Sequence, residues 1–207
     1  MGRNIGPTNK ISRRFGVNLG LKSNPTKVAR RLSQPPGVHG PTKRKGTESG
    51  FGKQLLEKQK AKIMYGLRER QFRRYVQEAT RSTGDSGLHL QHMLEMRLDN
   101  LIYRAGVALT RAQARQFVTH GHFTVNGKKL NIPSHIVEVS DVIALKENKA
   151  KKKIFETLAD TLSKKEAPSW FTIDAANKTI KVVGRPAQAD LDRLCNIQLI
   201  IEYYSTR

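Results

Sequence analysis

The chain has 207 residues, 37% of them apolar, and carries 38 Lys and Arg against 17 Asp and Glu for a formal charge of +21. That length allows one large domain or two small ones around a modest core. A field of that sign attracts polyanions and repels most other partners, no apolar run approaches the ~20 residues that span a bilayer, and one cysteine, Cys195, rules out an intrachain disulfide and fits a reducing compartment.

The first 50 residues hold eleven Lys and Arg against a single acidic residue. They are rich in Gly and Pro, poor in apolar residues and without a sustained period, which predicts a basic, irregular N-terminal extension over 1–52 made of short helical turns and loops. A disordered tail is the bland alternative; the strongly basic composition favours a segment that folds onto RNA. MGRNIG carries neither a hydrophobic signal core nor a myristoylation signal. Arg13, Arg14, Arg30 and Arg31 are candidate phosphate contacts. Pro35-Pro36-Gly37 and Gly40-Pro41 frame His39 in a rigid turn, followed by the run Lys43, Arg44, Lys45.

From Gln54 to Thr80 the pattern becomes helical, with a stripe of Leu56, Ile63 and Leu67, a break at Gly66, and a second stripe of Phe72, Tyr75, Val76 and Ala79. Lys58 and Lys62 are four apart, as are Arg70 and Arg74, with Arg68 and Arg73 beside them. Like charges at this spacing destabilise an isolated helix, and a phosphate surface would relieve them. Residues 84–87 read as a loop.

Leu94, Leu98, Leu101, Ile102 and Ala105 recur at helical spacing up to Gly106, which places Arg97 and Arg104 on one face, with Asn100 nearby. A second helix opens at Thr110 with Gln113 three residues on, the spacing of a capping box, and stops at Gly121. Arg111 and Arg115 share its exposed face, which can grip a phosphate backbone. His120 and His122 precede Phe123 and Val125, the turn Asn126-Gly127, then Lys128, Leu130 and Ile132, a strong hairpin signal. Asp141 to Leu145 can add a third strand. Ile154, Leu158 and Leu162 recur at helical spacing, Trp170–Asp174 and Thr179–Val183 flank residues 175–178 as a second hairpin, and Ile197–Tyr204 is apolar on both parities, leaving strand against buried helix open.

RLDNLIYR, TRAQARQ, THGH and VNGKKLNIPS resemble the small RNA-binding module named after small-subunit ribosomal protein four. IGPTNKISRRFG, PPGVHG, EKQKAKIMYGLRERQFRRY, PSWFTID and LIIEYYS are similar, in order, to the bacterial and organellar family of that protein, so the resemblance covers nearly all of the chain. It implies an α+β fold: a helical domain over 53–93, which 188–207 returns to complete, and an inserted RNA-binding module over 94–187 with two helices and an antiparallel sheet. It further implies a structural constituent of the small subunit that binds rRNA early at a multi-helix junction in the 5′ domain, contacts neighbouring ribosomal proteins, lies beside the channel where mRNA enters, and in some bacteria represses its own operon. Lys43, Arg44 and Lys45 would face incoming mRNA. The location implied is the ribosome, in the cytoplasm or in an organellar matrix or stroma.

Catalysis has no visible seat, since the chain lacks both a GxxxxGK[ST] loop and a nucleophile elbow. Arg97-Leu98-Asp99 is similar to a triplet in which pseudouridine synthases place a catalytic aspartate. Here Asp99 falls inside the module's own helix, where pairing with an arginine is expected. His89 with His92, and His120 with His122, have no cysteines nearby to complete a zinc site. The zinc-binding members of the family carry cysteines where this chain has Asn9 and Ser12, so no metal or other cofactor is expected, nor a small-molecule substrate or a membrane. His39, His120 and His122 are read as RNA contacts by ring stacking or phosphate hydrogen bonds. Phe72, Tyr75 and Tyr103 are read as core aromatics rather than base-stacking platforms. The mechanism expected is counterion release with shape recognition. The rivals are an RNA-modifying enzyme using Asp99, a ribosome-associated rescue factor built on the same module, and a DNA-architectural protein.

Overall fold

A computed structural model describes residues 6–40, 42, 48–150, 152–155, 162, 167–191 and 194–205. The chain forms two compact units, one from 1–90 with 192–207 and the other from 91–191.

In the first unit the extension contains two short helices. The α1 helix, Thr8–Phe15, ends on Gly16 at φ 66, and α2, Pro25–Ala29, is opened by the Asn24 side chain accepting from the Lys27 amide. The α3 helix, Gly50–Met64, is capped by the Ser49 hydroxyl oxygen and stopped by Gly66 at φ 63. The α4 helix, Glu69–Arg81, buries Phe72, Tyr75, Val76 and Ala79 in one stripe, and α5, Ser86–Glu95, follows, its residues 91–95 belonging to the second unit. The last helix in the chain, α9, Ile197–Ser205, packs on α3. This settles the strand-or-helix question left by its pattern: Ile200 and Tyr203 are buried, and Tyr203 stacks on Phe51 with ring centroids 5.7 Å apart. Nonlocal contacts decide it, because an apolar run of this length suits either state.

The second unit continues with α6, Leu98–Arg104, and α7, Arg111–Thr119. Leu94 and Leu98 belong to separate helices, not to one continuous stripe. The interruption has a local cause: the amides of Leu98 and Asp99 donate to the carbonyls of His135 and Pro133 at 2.8 and 3.2 Å, and Arg97 takes an extended conformation that bridges Ile136. The loop therefore satisfies amides that a continuing helix would have used. At α7 the Thr110 hydroxyl accepts from the Gln113 amide at 3.2 Å, and the Gln113 side chain accepts from Leu109, one residue earlier than the reciprocal bond of a standard box.

Strands β1 (Phe123–Val125), β2 (Lys128–Lys129) and β3 (Val142–Leu145), then α8 (Glu147–Ala150), β4 (Phe171–Asp174) and β5 (Thr179–Val182), complete the unit. The strands form one antiparallel sheet in the order β2-β1-β3-β5-β4. Asn126 at φ 49 and Gly127 at φ 76 make the turn between β1 and β2. Phe123, Ile143, Ile180 and Phe171 lie on the covered face with Leu101, Ile102, Phe117 and Trp170. The predicted helix from Ile154 to Leu162 falls largely outside the described residues; Lys153–Phe155 is a single tight turn. Among the described residues no helix is long and apolar enough to cross a membrane.

Candidate nucleic-acid interface

In the extension, Arg13 is turned inward. Its Nε and Nη2 donate to the carbonyls of Gln34 and Pro35, each at 2.9 Å, so it ties α1 to the Pro35-Pro36 turn. Arg14, Arg30, Arg31 and His39 are exposed. Lys43, Arg44 and Lys45 lie outside the described residues. Arg13, Arg14, Lys53 and Lys60 line a cleft of about 930 Å³ together with Glu48 and Glu57.

Lys58 and Lys62 do not wait for phosphate to relieve their repulsion. Both close on Glu69 at 2.9 Å, and Lys58 is buried, with its Nζ 4.5 Å from the centre of the Tyr203 ring. This corrects Lys58 from a surface contact to an internal cation, because a carboxylate and an aromatic face from distant parts of the sequence already surround it. Burial alone would raise the Glu69 carboxyl, but hydrogen bonds from Lys62, Tyr204 and Lys58 outweigh it and hold the group at about 2. Arg68, Arg70, Arg73 and Arg74 are exposed along α4 and its N-terminal end.

The α6–α7 face is organised by two carboxylates. Asp99 receives Arg97 in a two-point fork, Nε to Oδ1 at 3.0 Å and Nη2 to Oδ2 at 2.7 Å, and Arg115 Nη1 approaches Oδ2 at 3.6 Å. Glu95 receives Arg104 in the same manner, Nε at 2.9 Å and Nη2 at 2.8 Å. Asn100 links the groups, donating to Glu95 and accepting from Arg111 Nε at 2.8 Å, while the Arg111 guanidinium lies 4.6 Å from the centre of the Tyr103 ring. Arg97 and Asn100 are each 0% exposed. Neither can touch a ligand, and the expectation that Arg97 and Arg104 project together from one helical face is corrected: Arg97 precedes the helix and points into the unit. Arg104, Arg111 and Arg115 are half-buried at its surface.

At the hairpin, Lys128 is exposed. Asn126 is exposed too, but its carboxamide is engaged, donating to Asp141 at 2.8 Å and accepting from the Val142 amide at 2.9 Å. His120 is exposed, whereas His122 is buried against Phe117 and Phe155, with centroids 5.9 and 5.4 Å away. Burial, with Lys152, His120 and Lys149 adding repulsion, pushes His122 below its ordinary value, so it packs as a neutral aromatic instead of presenting a ring to RNA. Glu95 is the organising residue that the sequence reading missed. Its only signal was an acidic residue just ahead of an arginine-rich stretch. Among the described residues no cluster of His, Cys, Asp or Glu could hold a metal ion.

Residues 3–95 match the family model for the ribosomal protein S4/S9 N-terminal domain, and residues 96–143 match the S4 domain. The chain is 49% identical over 210 residues to small ribosomal subunit protein uS4 of Herpetosiphon aurantiacus and 46% identical over 207 residues to that of Roseiflexus castenholzii, covering 99% of this chain and 100% of each relative. It is 44% identical to the protein of the same name from Aquifex aeolicus, covering 99% of both chains.

Proposed function

The chain belongs to the uS4 family of small ribosomal subunit proteins, and from that membership we propose how it holds RNA. It is a structural constituent of the small ribosomal subunit and binds its rRNA. The contacts we assign are Arg14, Arg30, Arg31 and His39 in the extension, Arg68, Arg70, Arg73 and Arg74 around α4, Arg104, Arg111, Arg115 and His120 in the second unit, and Lys128 at the hairpin. Lys62 adds charge beside α4 while remaining tied to Glu69.

The observation that carries this reading is the α6–α7 face, where three half-exposed arginines, Arg104, Arg111 and Arg115, are held by the buried groups Glu95, Asn100 and Asp99, so that their positive charge is placed before phosphate arrives. Counterions released from the phosphates drive binding, and the fixed guanidinium positions select a folded backbone over a base sequence. The role is non-enzymatic: both oxygens of Asp99 are held by Arg97, which supports a structural aspartate. The finer placement follows from the sequence resemblance. The protein joins the 5′-domain junction early in assembly, beside neighbouring ribosomal proteins, with Lys43, Arg44 and Lys45 toward the channel where mRNA enters. It works in the ribosomes of the cytoplasm and, by the same resemblance, represses its own messenger.

Replacing both Arg111 and Arg115 by Glu tests the assignment. Filter binding to a 5′-domain rRNA transcript at moderate salt should weaken by at least about a hundredfold, since two charge-assisted contacts become repulsions, while the thermal transition persists. Unchanged affinity would remove this face from the interface.

A further inference from the structure

On the reading that the α6–α7 face binds rRNA, we propose that buried Asn100 is a positioning residue for Arg111 and that Glu95 sets its orientation. The carboxamide has one consistent orientation. Its Nδ2 donates to the Glu95 carbonyl at 3.0 Å and to the Glu95 carboxylate at 2.8 Å, and neither oxygen could donate in return. Oδ1 therefore points away from Glu95, where it accepts from Arg111 Nε at 2.8 Å. An oxygen of a hydroxyl or a water could rotate; an amide fixed at its other end cannot.

The guanidinium is thus located by contacts of different kinds, among them the Asn100 oxygen on its Nε and the Tyr103 ring, whose centre lies 4.6 Å from it. An arginine stem has several rotatable bonds, and ordering it on binding opposes affinity; here much of that ordering precedes RNA. An anchor through Nε fixes the direction in which the guanidinium leaves the helix, and with it the position of the charge offered to phosphate. Asn100 is 0% exposed and cannot touch RNA. Among the arginines of this face it touches Arg111 directly, and Arg104 only by way of Glu95. The proposal also gives Glu95 an unexpected sign: a carboxylate in an RNA-binding face supports binding, because it fixes the amide that fixes the cation.

A double-mutant cycle in the full chain tests this, using wild type, Asn100→Ala, Arg111→Ala and the double variant against a transcript of the 5′ domain of small-subunit rRNA. Asn100→Ala should weaken binding roughly tenfold beside an intact Arg111, the scale of one charge-assisted hydrogen bond, and by less than about twofold when Arg111 is already alanine. Equal losses in both backgrounds, or no loss in the first, overturn the positioning role. An Arg111→Ala variant that binds like wild type overturns the reading of the face, and this proposal with it. A second measurement needs no variant: in the free wild-type protein the Arg111 Hε proton should exchange slowly by NMR. Rapid exchange overturns the proposal whether or not Asn100→Ala folds.

Discussion

Arg97 and Asp99 stand two residues apart and face each other through two hydrogen bonds of 3.0 and 2.7 Å, with side chains 0% and 6% exposed. Removing one member leaves the other as a buried charge. Asp99→Ala should therefore cost about 3–5 kcal/mol of stability, read from urea unfolding of the full chain followed by a probe of the second unit. A loss below about 1 kcal/mol would show that water reaches Arg97 freely.

Binding to rRNA should weaken steeply with salt, each neutralised phosphate adding about −0.7 to −0.9 to the slope of log affinity against log salt. Titrations between low and moderate salt give the slope directly. A flat line would point to a protein, not a nucleic acid, as the ligand of the basic faces.

Glu69 confers an acid limb on the first unit. Its folded carboxyl lies at about 2, below its ordinary 4.5, because the hydrogen bonds from Lys62, Tyr204 and Lys58 overcome the opposing effect of burial. A depressed carboxyl stabilises the fold above the unfolded value and loses that contribution as pH falls from 4.5 toward 2. Glu69→Gln should lower stability at pH 6 and flatten the decline below pH 4.5. Parallel acid-unfolding curves for the two proteins would refute the linkage.

His122 acts in the second unit at a higher pH. Its folded value lies below 6.5, chiefly through burial, so the unfolded chain takes up a proton that the folded chain refuses. Stability is complete above pH 6.5 and declines as pH drops through it. His122→Phe, which keeps an aromatic ring against Phe117 and Phe155, should remove that decline. Urea midpoints measured from pH 8 to pH 5 would show whether it does.

Asn126→Ala should destabilise the hairpin by about 1–2 kcal/mol, because two hydrogen bonds are lost and Ala lacks the short polar side chain that lets Asn occupy the left-handed region. Asn126 sits at φ 49 and ties the turn to Asp141 and Val142. Hydrogen exchange at the Val142 amide, which donates to the Asn126 side chain, reports the change locally.

The elements readable in the sequence are those whose causes lie within a few residues. Thr110 with Gln113, Asn126 with Gly127, and the stripe from Phe72 to Ala79 each carry their geometry in their spacing. Lys58 and Arg97 read as outward cations in the sequence because their surroundings are set by the fold: Glu69 meets Lys58 after a helix break, and the break before Leu98 turns Arg97 inward onto Asp99. A count of charge identifies a polyanion partner correctly, but it cannot tell which cations the protein has already neutralised. His122 was misread for a similar reason, since Phe155 closes over it from far along the chain.

The packing of α9 on α3 also sets an order of events during synthesis. Residues 91–191 emerge as a contiguous stretch and can fold while translation continues, whereas the first unit needs residues 192–207, which are made after them. Until Tyr203 arrives, Lys58 lacks its aromatic cover and α3 presents an open apolar side. A nascent chain stalled before Ile197 would therefore carry a finished RNA-binding module joined to an unfinished helical unit. Protease sensitivity of such stalled chains should be concentrated in α3 and α4.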